Sequence, residues 1–174
     1  MSVVEIIILV SVLASAIGAG VFFLIRYLKK NEEKIYDYAT CYGTRIILSP
    51  QTKNVSVSVF EAWTESVVCF WAEKNGWDKE QCYQKLSQTE IEIFDAEYLE
   101  RNGYKVSGLV WPSTFLIEVS TFPKGKSQAS MVRLASLFRH EVSHIIVGYV
   151  GNLEAGPNGG EFHHKLFADV GLEA

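Results

Sequence analysis

Two histidines and one glutamate of this chain have the residue types and the spacing of a metal-dependent hydrolytic site. They are His140, Glu141 and His144, in the segment His-Glu-Val-Ser-His. On a helix, positions i and i+4 lie on one face, so both imidazoles can reach one Zn²⁺ ion. Zinc favours such nitrogen ligands, and in catalytic sites it keeps one position for water. Glu141 is then predicted to be the general base and acid, which takes a proton from water and passes it to a leaving amine.

A helix must position these three side chains, and the surrounding sequence predicts one. Apolar residues recur between Met131 and Ile146 with the spacing of one helix face. Either Ser127 or Ser130 can cap the N-terminus of this helix. The helix is predicted to extend to about Tyr149.

The segments before this helix predict strands mixed with helices. Strands are predicted at residues 45–49, 55–59, 91–93 and 115–119, helices at residues 61–74 and 78–86, and a turn or hairpin between residues 103 and 108. Asn75 and Gly76 are predicted to end the first of these helices, and Asp78 is predicted to cap the second. Residues 31–42 are polar and predict a linker or a short helix. Strands combined with segregated helices predict an α+β fold.

The first thirty residues predict an uncleaved, single-pass membrane anchor. Residues 6–25 form a run of 20 without a charged side chain. At about 1.5 Å per residue, such a run spans a hydrocarbon core of roughly 30 Å. A cleaved secretory signal peptide is the alternative, with Ala14-Ser15-Ala16 as its cleavage site. A signal peptide carries its basic residues before the apolar run, whereas Arg26, Lys29 and Lys30 follow it here.

The same charges predict the orientation of the anchor. Lys and Arg are retained on the cytoplasmic side, so the soluble domain is predicted to be cytoplasmic and the N-terminus to lie outside. Three cysteines are too few for a disulfide scaffold. As free thiols they agree with a reducing compartment, and one disulfide bridge plus one free thiol is the alternative. Small residues at positions 14, 16, 18 and 20 would let two such helices pack closely, so the anchor has a surface suited to self-association.

Composition argues against two other classes of protein. With 48% hydrophobic residues, the chain has enough apolar side chain to form a core, which excludes a disordered protein. Its 16 basic and 20 acidic residues give a formal net charge of -4. This balance lacks the basic surplus of a general nucleic-acid binder, so no nucleic-acid partner is expected. We predict an anchor over residues 1–30, a linker over 31–40 and one folded domain over 41–174.

Over about residues 113–170 the chain resembles the zincin superfamily of zinc metallopeptidases. The resemblance lies in the His-Glu-Val-Ser-His motif and in the strand predicted immediately before its helix. It implies a small mixed sheet, an active-site helix and a third metal ligand downstream. It also implies that the strand over residues 115–120 is an edge strand along the substrate cleft, where an extended peptide can add to the sheet. Small members of the superfamily, SprT-like or minigluzincin-like peptidases, are the nearest in pattern.

The third ligand distinguishes the zincin subfamilies. A metzincin has glycine and histidine where this chain has Val147 and Val150, so that class is excluded. A gluzincin-like site would use a downstream glutamate, for which Glu154 and Glu161 are available. SprT-like peptidases have a segment resembling His-Gly-x-Glu-Phe, whereas residues 158–162 of this chain read Asn-Gly-Gly-Glu-Phe.

Two further histidines, His163 and His164, directly follow that segment. If residues 161–170 form a helix, its apolar face consists of Phe162, Leu166, Phe167 and Val170. His163 falls within this face, and His164 points about 100° further round. The face that docks on the core can also approach the active-site helix. His163 is therefore predicted to be the third ligand, with His164 and then Glu161 as alternatives.

The sequence thus predicts a membrane-anchored zinc metallopeptidase that hydrolyses peptide bonds through a zinc-activated water. His140, His144 and His163 are expected to bind Zn²⁺, Glu141 is expected to be catalytic, and the substrate is expected to be a protein or peptide. One alternative is a non-catalytic protein that keeps the zincin fold as a membrane-tethered scaffold or as part of a larger assembly, such as a viral one. Another is a zinc hydrolase that acts on a non-peptide bond.

Overall fold

A computed structural model of the protein describes residues 35–111 and 113–148. The predicted membrane anchor over residues 1–30 lies outside these ranges, as do the candidate ligands Glu154, Glu161, His163 and His164. Within the described ranges, no helix combines the length and the apolar character that crossing a bilayer requires.

The described part of the chain is an α+β fold built around one mixed sheet. The strands are β1 (Tyr38–Ala39), β2 (Arg45–Ile47), β3 (Glu90–Phe94), β4 (Leu99–Arg101), β5 (Tyr104–Val106), β6 (Gly108–Trp111) and β7 (Leu116–Ser120). The helices are α1 (Val57–Asn75), α2 (Lys79–Leu86) and α3 (Met131–Val147), with a 3₁₀ turn at Pro50–Thr52.

Five strands form the main sheet, in the order β1-β2-β3-β7-β6. The central pairs β2–β3 and β3–β7 are parallel, and the outer pairs β1–β2 and β6–β7 are antiparallel. The remaining strands, β4 and β5, form a hairpin of their own. Its turn is Asn102-Gly103, with φ of 52° and 80° at the two residues. Asn-Gly accommodates two positive φ angles in a tight turn. A hairpin is therefore present in this region, but its turn precedes the predicted span of residues 103–108, in which β5 forms instead.

The hydrophobic core lies between the helices and one face of the sheet. Alternation along β3 and β7 directs Ile91, Ile93, Ile117 and Val119 into this core. The helices contribute large buried side chains, among them Phe60, Trp71, Leu134, Leu137 and Phe138. Period-two burial on the strands and helical burial on α1 and α3 therefore meet in one continuous core.

The helix ends follow the predicted capping residues. The backbone of Gly76 has φ of 66° at the C-terminus of α1, and the Asp78 carboxylate accepts a hydrogen bond from the backbone N–H of Glu80 at the start of α2. Ser130 caps α3, since its hydroxyl accepts a hydrogen bond from the N–H of Arg133. These three predictions are confirmed.

Two expectations from the sequence are wrong. The strand predicted at residues 55–59 does not form, because Ser56 is the N-cap of α1 and the helix begins at Val57. The strand over residues 116–120 exists as β7, but it is internal, with β3 on one side and β6 on the other. Strand β6 takes the edge position instead. A further difference is β1, which lies within the segment interpreted as a linker or short helix.

The second face of the sheet carries a partly buried ion pair. Glu118 of β7 accepts hydrogen bonds from the guanidinium of Arg101 in the β4–β5 hairpin, at 3.2 and 3.1 Å from Nε to the two carboxylate oxygens. The indole N–H of Trp111 donates to the same carboxylate at 2.6 Å. This contact attaches the hairpin to the sheet.

Candidate metal centre and catalytic carboxylate

Helix α3 brings the two motif histidines together on one face. His140 and His144 are one turn apart, and their Nε2 atoms lie 3.2 Å from each other. The ring centroids are 5.0 Å apart with an interplanar angle of 69°, so the rings are turned toward each other edge to face. Both residues are buried. The two Nε2 atoms can share a hydrogen bond if one ring carries its proton on Nε2, or both can bind a metal ion.

The separation of the two ring nitrogens fits one tetrahedral zinc ion. Zinc–nitrogen bonds of about 2.0–2.1 Å at a tetrahedral angle place two ligand nitrogens about 3.3 Å apart. The observed 3.2 Å between the Nε2 atoms of His140 and His144 is close to that value. The two imidazoles therefore suit Zn²⁺ in both ligand type and spacing.

The third motif residue, Glu141, is enclosed beside the histidines. Burial raises the pKa of its carboxyl from 4.5 to about 8, because desolvation disfavours the charged form. A carboxylate with this basicity is suited to exchange protons near neutral pH.

A glycine on the edge strand makes room for that carboxylate. Gly108 is the first residue of β6 and pairs with Val119 of β7. A Cβ atom at position 108 would lie 2.3 Å from Oε1 of Glu141 and 2.9 Å from its Cγ and Cδ atoms. Real carbon atoms do not approach so closely, so a larger residue at position 108 would force the Glu141 side chain to move. The edge strand and the candidate base are therefore in direct contact.

Arg133 connects the same strand to the first turn of α3. Its Nη2 atom donates to the hydroxyl of Ser107 at 2.7 Å and to the carbonyl of Glu97 at 3.2 Å. Ser107 directly precedes Gly108, so Arg133, which lies about two turns before Glu141 on the helix, anchors the start of β6 to α3. Arg133 was not singled out by the sequence, because only the fold brings residue 107 beside α3.

Helix α1 contacts α3 at Ser143, a position between the two histidines of α3. The indole N–H of Trp71 donates to the hydroxyl of Ser143 at 2.9 Å, and that hydroxyl donates to the carbonyl of Arg139 at 2.7 Å. Both Trp71 and Ser143 are almost fully buried. Near the end of the helix, Lys85 of α2 donates to the carbonyl of Ile146 at 2.7 Å. Buried Trp usually finds a partner for its N–H, but the sequence contains no signal that identifies Ser143 as that partner.

The structure thus brings together three of the four predicted site residues. His140, Glu141 and His144 lie on neighbouring positions of α3, and the fourth, His163, lies outside the described residues. Among residues 35–111 and 113–148, no group of three or more His, Cys, Asp or Glu side chains is arranged to hold a metal ion.

Comparison with known proteins returned no match to a family model, a curated protein or a solved structure.

Proposed function

We propose that this chain is a membrane-anchored zinc metallopeptidase of the zincin type. The observation that supports this most directly is the geometry on α3. Two imidazole nitrogens lie 3.2 Å apart, and the enclosed carboxylate of Glu141 comes from the residue next to one of them. A structural metal site has no use for such a base.

His140 and His144, with His163 as the favoured third ligand, would hold Zn²⁺. The ion would supply a Lewis acid that lowers the pKa of water and polarises a carbonyl. Glu141 accepts a proton from the attacking water on its carboxylate and delivers it to the nitrogen of the leaving amine.

Strand β6 supports a peptide as the substrate. In the described part of the chain it pairs with β7 on one side only, and its first residue, Gly108, touches Glu141. An extended peptide that adds to the open side of β6 would gain main-chain hydrogen bonds with little demand on its sequence. The proposed anchor at residues 1–30 would hold this site at the cytoplasmic surface of a membrane.

The Glu141→Gln variant tests this function. The amide keeps the shape of the side chain but cannot accept a proton, so hydrolysis of a casein-type substrate should fall by about 100-fold or more. Zinc content should stay at the wild-type level, because the base is not a ligand. His140→Ala is the comparison variant, and it should lose both zinc and activity. Wild-type hydrolysis by Glu141→Gln would contradict the proposal.

A non-catalytic scaffold with the same fold is the second candidate. The burial of His140, Glu141 and His144, each 6–7% exposed in the described structure, is the observation that favours it. A scaffold of this kind would bind zinc, show no peptidase activity, and tolerate Glu141→Gln without functional change.

A further inference from the structure

A separate group of reactive side chains lies where α1 meets the start of α2. Cys69 and Glu65 belong to α1, and Lys79 is the first residue of α2. The Lys79 Nζ atom lies 2.8 Å from Cys69 Sγ and 3.9 Å from Oε1 of Glu65. The thiol lies 3.2 Å from the same carboxylate oxygen. A thiol, an amine and a carboxylate are therefore in mutual contact.

The contact between nitrogen and sulfur is shorter than their sizes normally allow. A distance of about 2.8–3.0 Å is usual between a nitrogen donor and an oxygen acceptor. Because sulfur has a larger radius than oxygen, the 2.8 Å between Nζ and Sγ is shorter than an ordinary contact distance between nitrogen and sulfur. A direct S–N bond would bring the two atoms much closer than this. The observed separation instead suits two atoms that can be joined through a single bridging oxygen.

We propose that Cys69 and Lys79 form a modification site at which dioxygen generates a reversible N–O–S cross-link between α1 and α2. The reactants are the Lys79 ammonium, the Cys69 thiolate and one O₂ molecule. Sulfur and nitrogen each lose two electrons, and dioxygen gains four. One oxygen atom forms the new S–O and N–O bonds, while the other leaves as water with two of the three ammonium protons.

The surroundings of the pair favour this reaction. The side chains of Lys79 and Glu65 are 49% and 47% exposed, so dioxygen has access. The Glu65 carboxylate lies next to both reacting groups and can accept a proton that the ammonium releases. The reaction does not involve the candidate metal centre and stands independently of the proposed function.

The other two cysteines have different surroundings and serve as internal comparisons. Cys41 is exposed, and its backbone N–H donates to the carboxylate of Glu61 at 2.7 Å. Cys82 is buried within α2. General thiol oxidation would modify the exposed Cys41 first, whereas the proposed cross-link is specific to Cys69.

Mass spectrometry of the full-length protein tests the proposal. Protein purified under reducing conditions is placed in oxygen-saturated buffer and then digested with trypsin. The cross-link adds one oxygen and removes two hydrogens, a gain of about 14 Da, and dithiothreitol should reverse it. It also blocks cleavage after Lys79, so the peptide of residues 54–74 should appear joined to that of residues 75–85.

Matched variants identify the atoms involved. Cys69→Ser and Lys79→Arg should both abolish the joined peptide, since the arginine keeps the charge but lacks a primary amine. Cys41→Ser should leave the joined peptide unchanged. Three results would each overturn the proposal. They are the gain of whole oxygen atoms on single peptides, the loss of two hydrogens through a direct S–N bond, and no change in mass.

Discussion

At the scale of single residues, the environment of Glu141 determines what the motif can do. Its carboxyl is enclosed by α3 and by the backbone of Gly108, and burial raises its pKa to about 8. The native, metal-free protein therefore binds a proton here at pH values where the unfolded chain has lost it. This difference makes the stability of the metal-free protein depend on pH.

Stability of the metal-free protein should fall as pH rises from 4.5 to about 8. Below this window both states are protonated, and above it the native state carries the cost of a buried carboxylate. One pKa unit corresponds to about 1.4 kcal/mol, so the loss attributable to Glu141 is a few kcal/mol. Urea unfolding in the presence of a chelator, compared with Glu141→Gln, measures it. Parallel pH profiles for the two proteins would contradict the pKa shift.

Gly108→Ala should displace the Glu141 side chain. The new Cβ would lie 2.3 Å from Oε1, so the carboxylate must move away from its place beside the histidines. We expect peptidase activity to fall at least tenfold while zinc remains bound, with about 1–3 kcal/mol of stability lost through overpacking. In the double variant Gly108→Ala/Glu141→Ala most of that stability should return. Full activity in Gly108→Ala would show that the contact is irrelevant to catalysis.

The sequence was sufficient to identify His140, Glu141 and His144 as neighbours, because spacing on one helix determines their proximity. It could not identify Gly108 or Ser107, because their places beside α3 depend on the register between β6 and β7. The choice between His163 and His164 rests on a helical wheel and stays a prediction.

At the scale of elements, α1 supports α3, the helix that carries the His-Glu-Val-Ser-His motif. The buried hydrogen bond from Trp71 to Ser143 links the two helices between the motif histidines. Packing of Phe60 of α1 against Phe138 of α3, with ring centroids 5.4 Å apart, extends the same contact. The orientation of both imidazoles therefore depends on α1 as well as on α3.

Ser143→Ala should destabilise the fold by about 1–3 kcal/mol, because the Trp71 indole N–H loses a buried partner. Trp71→Phe should cost more, since packing is lost as well. The two effects should be less than additive in the double variant, because one hydrogen bond is removed in both single variants. Urea unfolding of the four proteins measures this coupling. Additive free energies would mean that the bond contributes nothing.

Prediction of the elements depended on the length of each pattern. Helix α3 was predicted well because its apolar repeat continues for more than four turns. The alternation of Val and Ser over residues 55–59 covers too few residues to distinguish a strand from the first turn of a helix. The edge strand was wrongly assigned because the sequence does not show that the chain turns back after β6 and that β7 enters between β3 and β6.

At the scale of the whole molecule, the proposed anchor would determine where the proposed site acts. Residues 1–30 combine a long apolar run with a basic flank on its C-terminal side, which favours an uncleaved helix over a signal peptide. We expect the mature protein to keep its N-terminal segment and to stay with membranes during alkaline extraction. N-terminal sequencing checks this. A new N-terminus near Ile17 would show a cleaved signal peptide and an exported protein.

Zinc content of the purified full-length protein, measured by elemental analysis, tests the central claim most directly. We predict about one zinc ion per chain, because two helical imidazoles and one downstream ligand complete a catalytic site. His140→Ala and His163→Ala should lose the metal, whereas His164→Ala should retain it. If His163→Ala retains zinc and His164→Ala loses it, the third ligand is His164 and not His163. Absence of zinc from the wild-type protein, or its full retention in His140→Ala, would contradict the account of this chain as a zinc metallopeptidase.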